Sequence, residues 1–316
     1  MNKIDKDLLI QIADMHEVPQ GSFNIRKNGA SIGSSSSEEI TIIPKKDKSG
    51  IDVFVKENLK NKSIHLPVII TEGNFTDLVY NDFYIGKNSE VTIVAGCGIH
   101  NATTEDSRHD GIHTFHLETG CNVKYIEKHL GVGDNSGGKI LNPTTVVNMH
   151  NNSFMEMETI QLGGVTYSHR DTKATLADNA KLVIKEKILT NGTEIAKTNF
   201  DVELIGKNSS VEVISRSVAK ESSKQEFISN VIGKNECFGH VECDGIILDK
   251  AQIVSMPKVD CQDVNATLVH EAAIGKIAGE QIVKLQTLGL TQEEAQNVII
   301  KGFLKWFKEK NVCLIF

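Results

Sequence analysis

The sequence predicts a mainly β chain wound as a parallel β-helix, with a short helix at its start and a helical segment at its end. Three observations carry that prediction. A turn-and-strand unit recurs: "IGKNSEVTIVAG" from Ile85, "ETGCNVKYIEKH" from Glu118, "MHNNSFMEMETI" from Met149, "LADNAKLVIKEK" from Leu176, "LIGKNSSVEVIS" from Leu204 and "VIGKNECFGHVE" from Val231. Within a unit the apolar period is two, as in Val91-Ile93 and Val211-Val213, which is strand rather than helix. Glycine is common at 25 residues and proline scarce at five, which fits many tight turns rather than proline-rich linkers.

The units start about 30 residues apart, a solenoid period. That length is too short for a propeller blade and suits about two coils of a β-helix. Evenly spaced short strands also fit a sandwich or a barrel, and the repeat favours the β-helix.

The elements follow in order. "DKDLLIQIADMHEV" places Leu8, Leu9, Ile12 and Met15 on one helical face. The serine-rich "NGASIGSSSSEEI" after it reads as an exposed loop, so residues 1–40 form a helix-and-loop segment and residues 41–272 the β-helix core. In the closing segment, residues 273–316, "AGEQIVKLQTLG" is a helix stopped by Gly289. Thr291 and Glu294 of "TQEE" then form a capping box for a second helix. Its apolar residues Val298, Ile299, Phe303, Trp306 and Phe307 either cover the solenoid end or meet a partner.

Composition narrows the function. A chain of 316 residues, 40% hydrophobic and 24% charged, buries a sizeable core. Its net charge of −7 argues against nucleic acid as a partner. No apolar run approaches the roughly 18 residues needed to cross a bilayer, and the charged start "MNKIDKDLLIQIADMHEV" carries no signal-peptide core. The expectation is a cytoplasmic protein without a membrane partner. The six cysteines (97, 121, 237, 243, 261, 313) make no CxxC pair, so reduced thiols are expected rather than a disulfide framework.

Two constellations carry chemistry. In "GCGIHNATTEDSRHDGIHTFHLE", Cys97, His100 and His113, with His109, His116 and Glu118, resemble a histidine–carboxylate metal set. The blander reading is polar histidines in turns and on solvent faces. The second is "CFGHVECD", with Cys237, His240 and Cys243 three apart, together with Cys261, His270 and Glu271 downstream. Strand parity separates His240 from the two cysteines. Cys243 and Cys261, 18 residues apart, match the expected coil length and would stack side by side. Thiolate, imidazole and carboxylate together suit iron, while buried free cysteines more often only fill a core. Other chemistries lack support. "GVGDNSGGKI" misses the phosphate-loop spacing, no G-x-S-x-G elbow occurs, and Glu156 and Glu158 read as solvated strand positions. A β-helix carbohydrate-active enzyme or a His-rich metal-binding module remain the alternatives.

The run "FGHVECDGIILDKAQIVSMPKVDCQDVNATLVHEAAIGKIAGEQIVKLQTLGLTQEEAQNVIIKGF" resembles the SufB/SufD family of iron–sulfur cluster assembly proteins, through "ECD", "HEA", "IGKI", "EQ" and "GLTQEEA". The resemblance covers roughly residues 80–307 and is strong over 238–303. It implies a right-handed parallel β-helix whose chains pair as a homodimer or as a heterodimer of B- and D-type chains. It also implies C-terminal helices that dock a SufC-type ABC ATPase, through residues such as Ile282, Leu285, Leu288, Val298 and Phe303. By match to the motif, Cys243 is the cluster-handling thiol, His270 the shared histidine and Glu271 the SufB-type glutamate. Cys261 matches a further SufB cysteine. The implied role is a scaffold rather than an enzyme, holding a transient iron–sulfur cluster and fed by a cysteine desulfurase system. The chain is shorter than SufB and lacks its N-terminal cysteine cluster, so the simplest expectation is a minimal form that homodimerises.

Overall fold

The computed structural model describes residues 1–133 and 136–305. It is mainly β, with 57% strand, 11% helix and about eight solenoid turns. Two ten-stranded sheets face each other. The first, sheet A, runs β2 (Ala30–Ser35), β1 (Ser22–Lys27), β5 (Lys62–Ile70), β7 (Glu90–His100), β9 (Asn122–Val132), β12 (Phe154–Gln161), β14 (Lys181–Thr190), β16 (Ser209–Ala219), β18 (Cys237–Ile247) and β20 (Thr267–Gly275). Sheet B runs β3 (Ile40–Pro44), β4 (Gly50–Val55), β6 (Phe75–Ile85), β8 (Ser107–Leu117), β10 (Lys139–Leu141) with β11 (Thr144–Met149) as one broken rung, β13 (Tyr167–Leu176), β15 (Ile195–Leu204), β17 (Lys224–Gly233) and β19 (Gln252–Cys261). Pairings are parallel except β1–β2 and β3–β4.

The chain alternates between the sheets, so one coil holds two strands. Tyr167 lies in register with Ile195 and Ile195 with Lys224, which makes a coil about 30 residues long. The repeat is therefore one coil and not two. Each quoted unit is the corner from sheet B to sheet A plus the sheet A strand that follows. That corner turns on a left-handed residue at Asn58, Asn88, Gly120, Asn152, Asn179 and Asn208. Asparagine and glycine enter this region at little cost, which is why the corner repeats visibly in the sequence.

Helix α1 (Lys3–Ala13) opens with a reciprocal Asn2–Asp5 capping box and buries Leu8, Leu9 and Ile12. It lies on the outer face of sheet A, where a Cβ on Gly96 would sit 2.4 Å from the Ile12 carbonyl oxygen. The serine-rich stretch is not a loop: Ala30–Ser35 is strand β2, paired antiparallel with β1. Its side chains are mostly exposed, so backbone pairing makes a strand that composition disguises.

At the other end, helices α2 (Gly279–Gln286) and α3 (Gln292–Leu304) follow β20, with the Thr291–Glu294 capping box in place. Ile300 and Leu304 pack on Leu189, Val218 and Ile246, which point outward from β14, β16 and β18 by strand parity. Among the described residues, α3 thus lies along the flank of the solenoid rather than over its end. Trp306 and Phe307 lie outside the described residues. Leu288 and Val298 remain exposed, Ile282 and Leu285 are half-buried, and the ring of Phe303 lies 5.8 Å from the Arg216 guanidinium.

Candidate functional site

Stacking in register turns the interior of sheet A into columns. One column runs Ala95, Glu127, Thr159, Glu186, Ser215, Cys243 and Ala272. The next runs Ile93, Tyr125, Met157, Ile184, Val213, Val241 and His270. Cys243 thus ends a polar column one coil short of the last strand. His270 ends an apolar column where the pattern calls for another aliphatic residue.

Cys243 is buried at 1% exposure. Burial pushes its thiol up to about 11; the Ser255 hydroxyl opposes the shift, and the charges of Glu186 and Asp244 add to it. Two coils below, Glu186 accepts hydrogen bonds from Ser215 Oγ at 2.8 Å and Thr198 Oγ1 at 2.9 Å. Burial raises its pKa against the pull of Arg170. Arg170 bridges Glu186, 3.9 Å away, and Glu127, to which Nη1 donates directly. Burial opposes the charge on Glu127, yet Arg170 and His129 outweigh it and hold its carboxyl well below the usual range. These charged positions were visible as Glu127 and Glu186 at inward parity in "KYIEKH" and "VIKEK". Arg170 carries no such signal, because its strand, β13, lies between the repeat units.

His270 is half-buried, and its Nε2 has no hydrogen-bond partner among the described residues. Burial lowers its pKa, as does nearby His240. Cys243 and His270 therefore face the same interior from neighbouring strands. Glu271 does not join them. It pairs with Glu242 on the outer face, its carboxylate exposed and 3.7 Å from His240 Nε2, because adjacent residues on a strand point to opposite faces. Cys261 does not join them either. The residue stacked on Cys243 is Ala272, while Cys261 stacks on Gly233 in sheet B. The expected Cys243–Cys261 contact assumed a coil of 18 residues, and the coil is longer because it contains a second strand. Parity in β18 does turn Cys237 and Cys243 inward and His240 outward.

The upstream cluster also splits. Cys97 and His113 line an interior cavity of ≈ 20 Å³ with His109, Glu127 and His129, whereas His100 lies on the outward parity of β7. His113 Nδ1 is buried without a hydrogen-bond partner among the described residues, and burial pushes the ring down to about 4. Among the described residues, no three His, Cys, Asp or Glu groups converge to hold a metal ion. His109 Nδ1 instead pairs with Asp77, which also takes Arg26. On the outer face Lys124 pairs with Glu158 and Lys185 with Glu156, which makes those acids a solvated ladder. Lys185 and Glu186 lie on opposite faces, so they make no common acid–base set.

The chain matches the SufBD core domain of SUF-system FeS cluster assembly over residues 71–303. It is 30% identical over 247 residues to an iron–sulfur cluster assembly SufBD family protein of Methanothermobacter thermautotrophicus, covering 75% of this chain and 57% of that protein. A SufBD family protein of Methanocaldococcus jannaschii is 24% identical over 273 residues, 84% of this chain and 85% of that one. SufB of Bacillus subtilis is 30% identical over 107 residues, 33% of this chain and 23% of its own length. The chain thus spans little more than half of the Methanothermobacter relative.

Proposed function

This chain belongs to the SufBD family of iron–sulfur cluster assembly proteins, and from that premise we propose that it is a scaffold on which a cluster is built and released, not a turnover enzyme. One observation carries the reading: Cys243 and His270 face the same interior from the last two strands of sheet A, and His270 Nε2 is unpartnered. Thiolate and imidazole are both cluster ligands. The cluster is cargo, bound transiently.

A protonated thiol must lose its proton to bind iron. With the thiol of Cys243 near 11, iron uptake strengthens as pH rises toward that value. Two donors per chain are fewer than the four a small cluster takes, so a second chain supplies the rest. Support for pairing comes from the end itself: among the described residues β20 is the last strand of sheet A, and it is largely exposed. Such edges invite pairing. The second chain is another copy, or a related B- or D-type chain. Glu271, on the outer face, serves the pairing surface rather than the ligand set.

A SufC-type ABC ATPase would dock on α2 and α3, where Leu288 is 77% and Val298 48% exposed. Sulfur would come from a cysteine desulfurase system in the cytoplasm. No helix among the described residues is long and apolar enough to cross a membrane. Anaerobic reconstitution with ferrous iron and sulfide tests the site: Cys243→Ser loses most of the visible cluster absorption and His270→Ala weakens it. Wild-type absorption from the Cys243→Ser protein would remove Cys243 from the site.

A further inference from the structure

Among the described residues five cysteines are free, and Cys261 alone is exposed. It closes β19 at the last corner of the solenoid and lies in register on Gly233. The Gln262 amide fixes that stacking by donating to the Gly233 carbonyl at 2.8 Å. Gly233 has no side chain, and a Cβ built there would lie 2.9 Å from Cys237 Sγ. The Cys237 sulfur therefore fills the space the glycine leaves. Cys261 stands one strand spacing, about 4.8 Å, above that same point. Both residues have inward parity, on β18 with Val241 and Cys243 and on β19 with Ser255 and Val259.

We propose that Cys237 and Cys261 are an oxidisable dithiol, in which Cys261 reacts with an external disulfide and Cys237 resolves it to an intramolecular bond. The inference rests on this corner alone and not on the cluster site. The division of labour follows from exposure. Cys261 meets solvent, whereas Cys237 is buried, and burial pushes its thiol up against a backbone hydrogen bond at Asn235, with the nearby Cys261 and Asp263 adding to the rise. Exchange begins with the accessible thiolate. Cys261 thiolate attacks the oxidant R–S–S–R, forming Cys261–S–S–R and releasing one R–S⁻. Cys237 then gives its proton to solvent and attacks the Cys261 sulfur. The second R–S⁻ leaves and the Cys237–Cys261 bond forms. The pair has lost two electrons and two protons, and the oxidant has become two thiols.

The bond would tie the corner of edge strand β19 to the coil beneath it. Cys243, six residues further along β18 and stacked between Ser215 and Ala272, stays a free thiol. The site is thus a modification point at the open end that spares the buried thiol beside it.

The test uses the whole native chain, iron-free, incubated with oxidised glutathione. After alkylation and cleavage on the C-terminal side of glutamate and lysine, Glu242 separates Cys237 from Cys243 and Lys250 separates Cys243 from Cys261, and mass spectrometry identifies the linked peptides. The expected product is one Cys237–Cys261 bond with Cys97, Cys121 and Cys243 alkylated. Cys237→Ser should retain glutathione on Cys261, and Cys261→Ser should leave Cys237 reduced. A bond from Cys261 to Cys243 or Cys313 would overturn the proposal. So would wild-type protein in which Cys261 stays glutathionylated or does not react. The wild-type map decides the matter even if a variant folds poorly.

Discussion

The two ends of the solenoid's cross-section are built on opposite principles. Beside the asparagine corner, sheet A supplies Val91, Ile93, Val123, Met155, Leu182 and Val211, and sheet B supplies Ile85, Leu117, Met149, Leu176 and Leu204, all in one buried apolar cluster. Beside the opposite corner the same inward parity carries Asp77, His109, Glu127, His129, Arg170, Glu186, Thr198 and Gln225, all buried. The first strip is held by area removed from water and by close packing. The second pays desolvation and recovers it only through pairing. Position inside a fold therefore does not dictate polarity; what matters is whether each buried charge has a partner. The polar strip is also the one that leads to Cys243.

The sharpest way to break the comparison is to unpair the polar strip. Arg170→Ala leaves Glu127 and Glu186 buried without their shared cation. The expected loss is about 3–5 kcal/mol of unfolding free energy, because a buried charge stripped of its partner costs far more than the pair contributes. Urea denaturation of the pure chain measures it. A loss under about 1 kcal/mol would mean that water already reaches these groups and that the strip is not a paired interior.

A smaller effect sits in the corner that follows this strip. Burial raises Glu194 to about 7 from an ordinary 4.5, against the Asn191 amide, which donates to it at 2.9 Å. A raised folded-state pKa means the fold holds the proton more tightly than the unfolded chain. That stability is complete below about 4.5 and is lost as pH rises through about 7. Glu194→Gln keeps a neutral group, so it should match wild type near pH 4 and exceed it by about 1–2 kcal/mol at pH 8, after allowance for solvent screening. Parallel pH profiles for the two proteins would show that Glu194 does not carry this linkage.

The contrast between the strips also explains what the sequence reveals. Strands of sheet A begin with inward apolar residues after a short polar turn, and five of the six quoted units turn on a left-handed asparagine or glycine, so the units mark that corner. Strands of sheet B open with polar inward residues, as in "SRHDGIHTFHL" and "YSHRDTKATL", and alternation does not expose them. A coil counted from sheet A strands alone is about half the true length, because each coil also holds a sheet B strand, and the Cys243–Cys261 stacking depends on the shorter length. Cys243 and His270 were legible through the motif, and their shared interior face agrees with strand parity. The motif names Glu271 and Cys261 as well, and strand parity and the second strand of each coil place them apart from that face. The flank position of α3 depends on the outward residues Leu189, Val218 and Ile246, whose partner no local pattern names.

The asparagine corner gives the finest test. Asn179 holds φ at 54°, its amide donates to the Lys207 carbonyl, and its side-chain oxygen accepts from Asn208 at 3.2 Å. If the corner repeats because only certain residues enter the left-handed region cheaply, side-chain chemistry matters less than backbone freedom. Asn179→Ala should then cost about 1–2 kcal/mol, since an ordinary L-residue meets its own carbonyl there. Asn179→Gly should cost only a few tenths, the glycine entering freely while loosening the unfolded chain. The glycine already at the equivalent Gly120 corner, φ 73°, shows that the coil accepts it. Thermal denaturation of the pair decides between the accounts. Equal losses from Ala and Gly would locate the corner's stability in the stacked asparagine side chains instead, and the repeat would then be a ladder of amides rather than a rule about backbone.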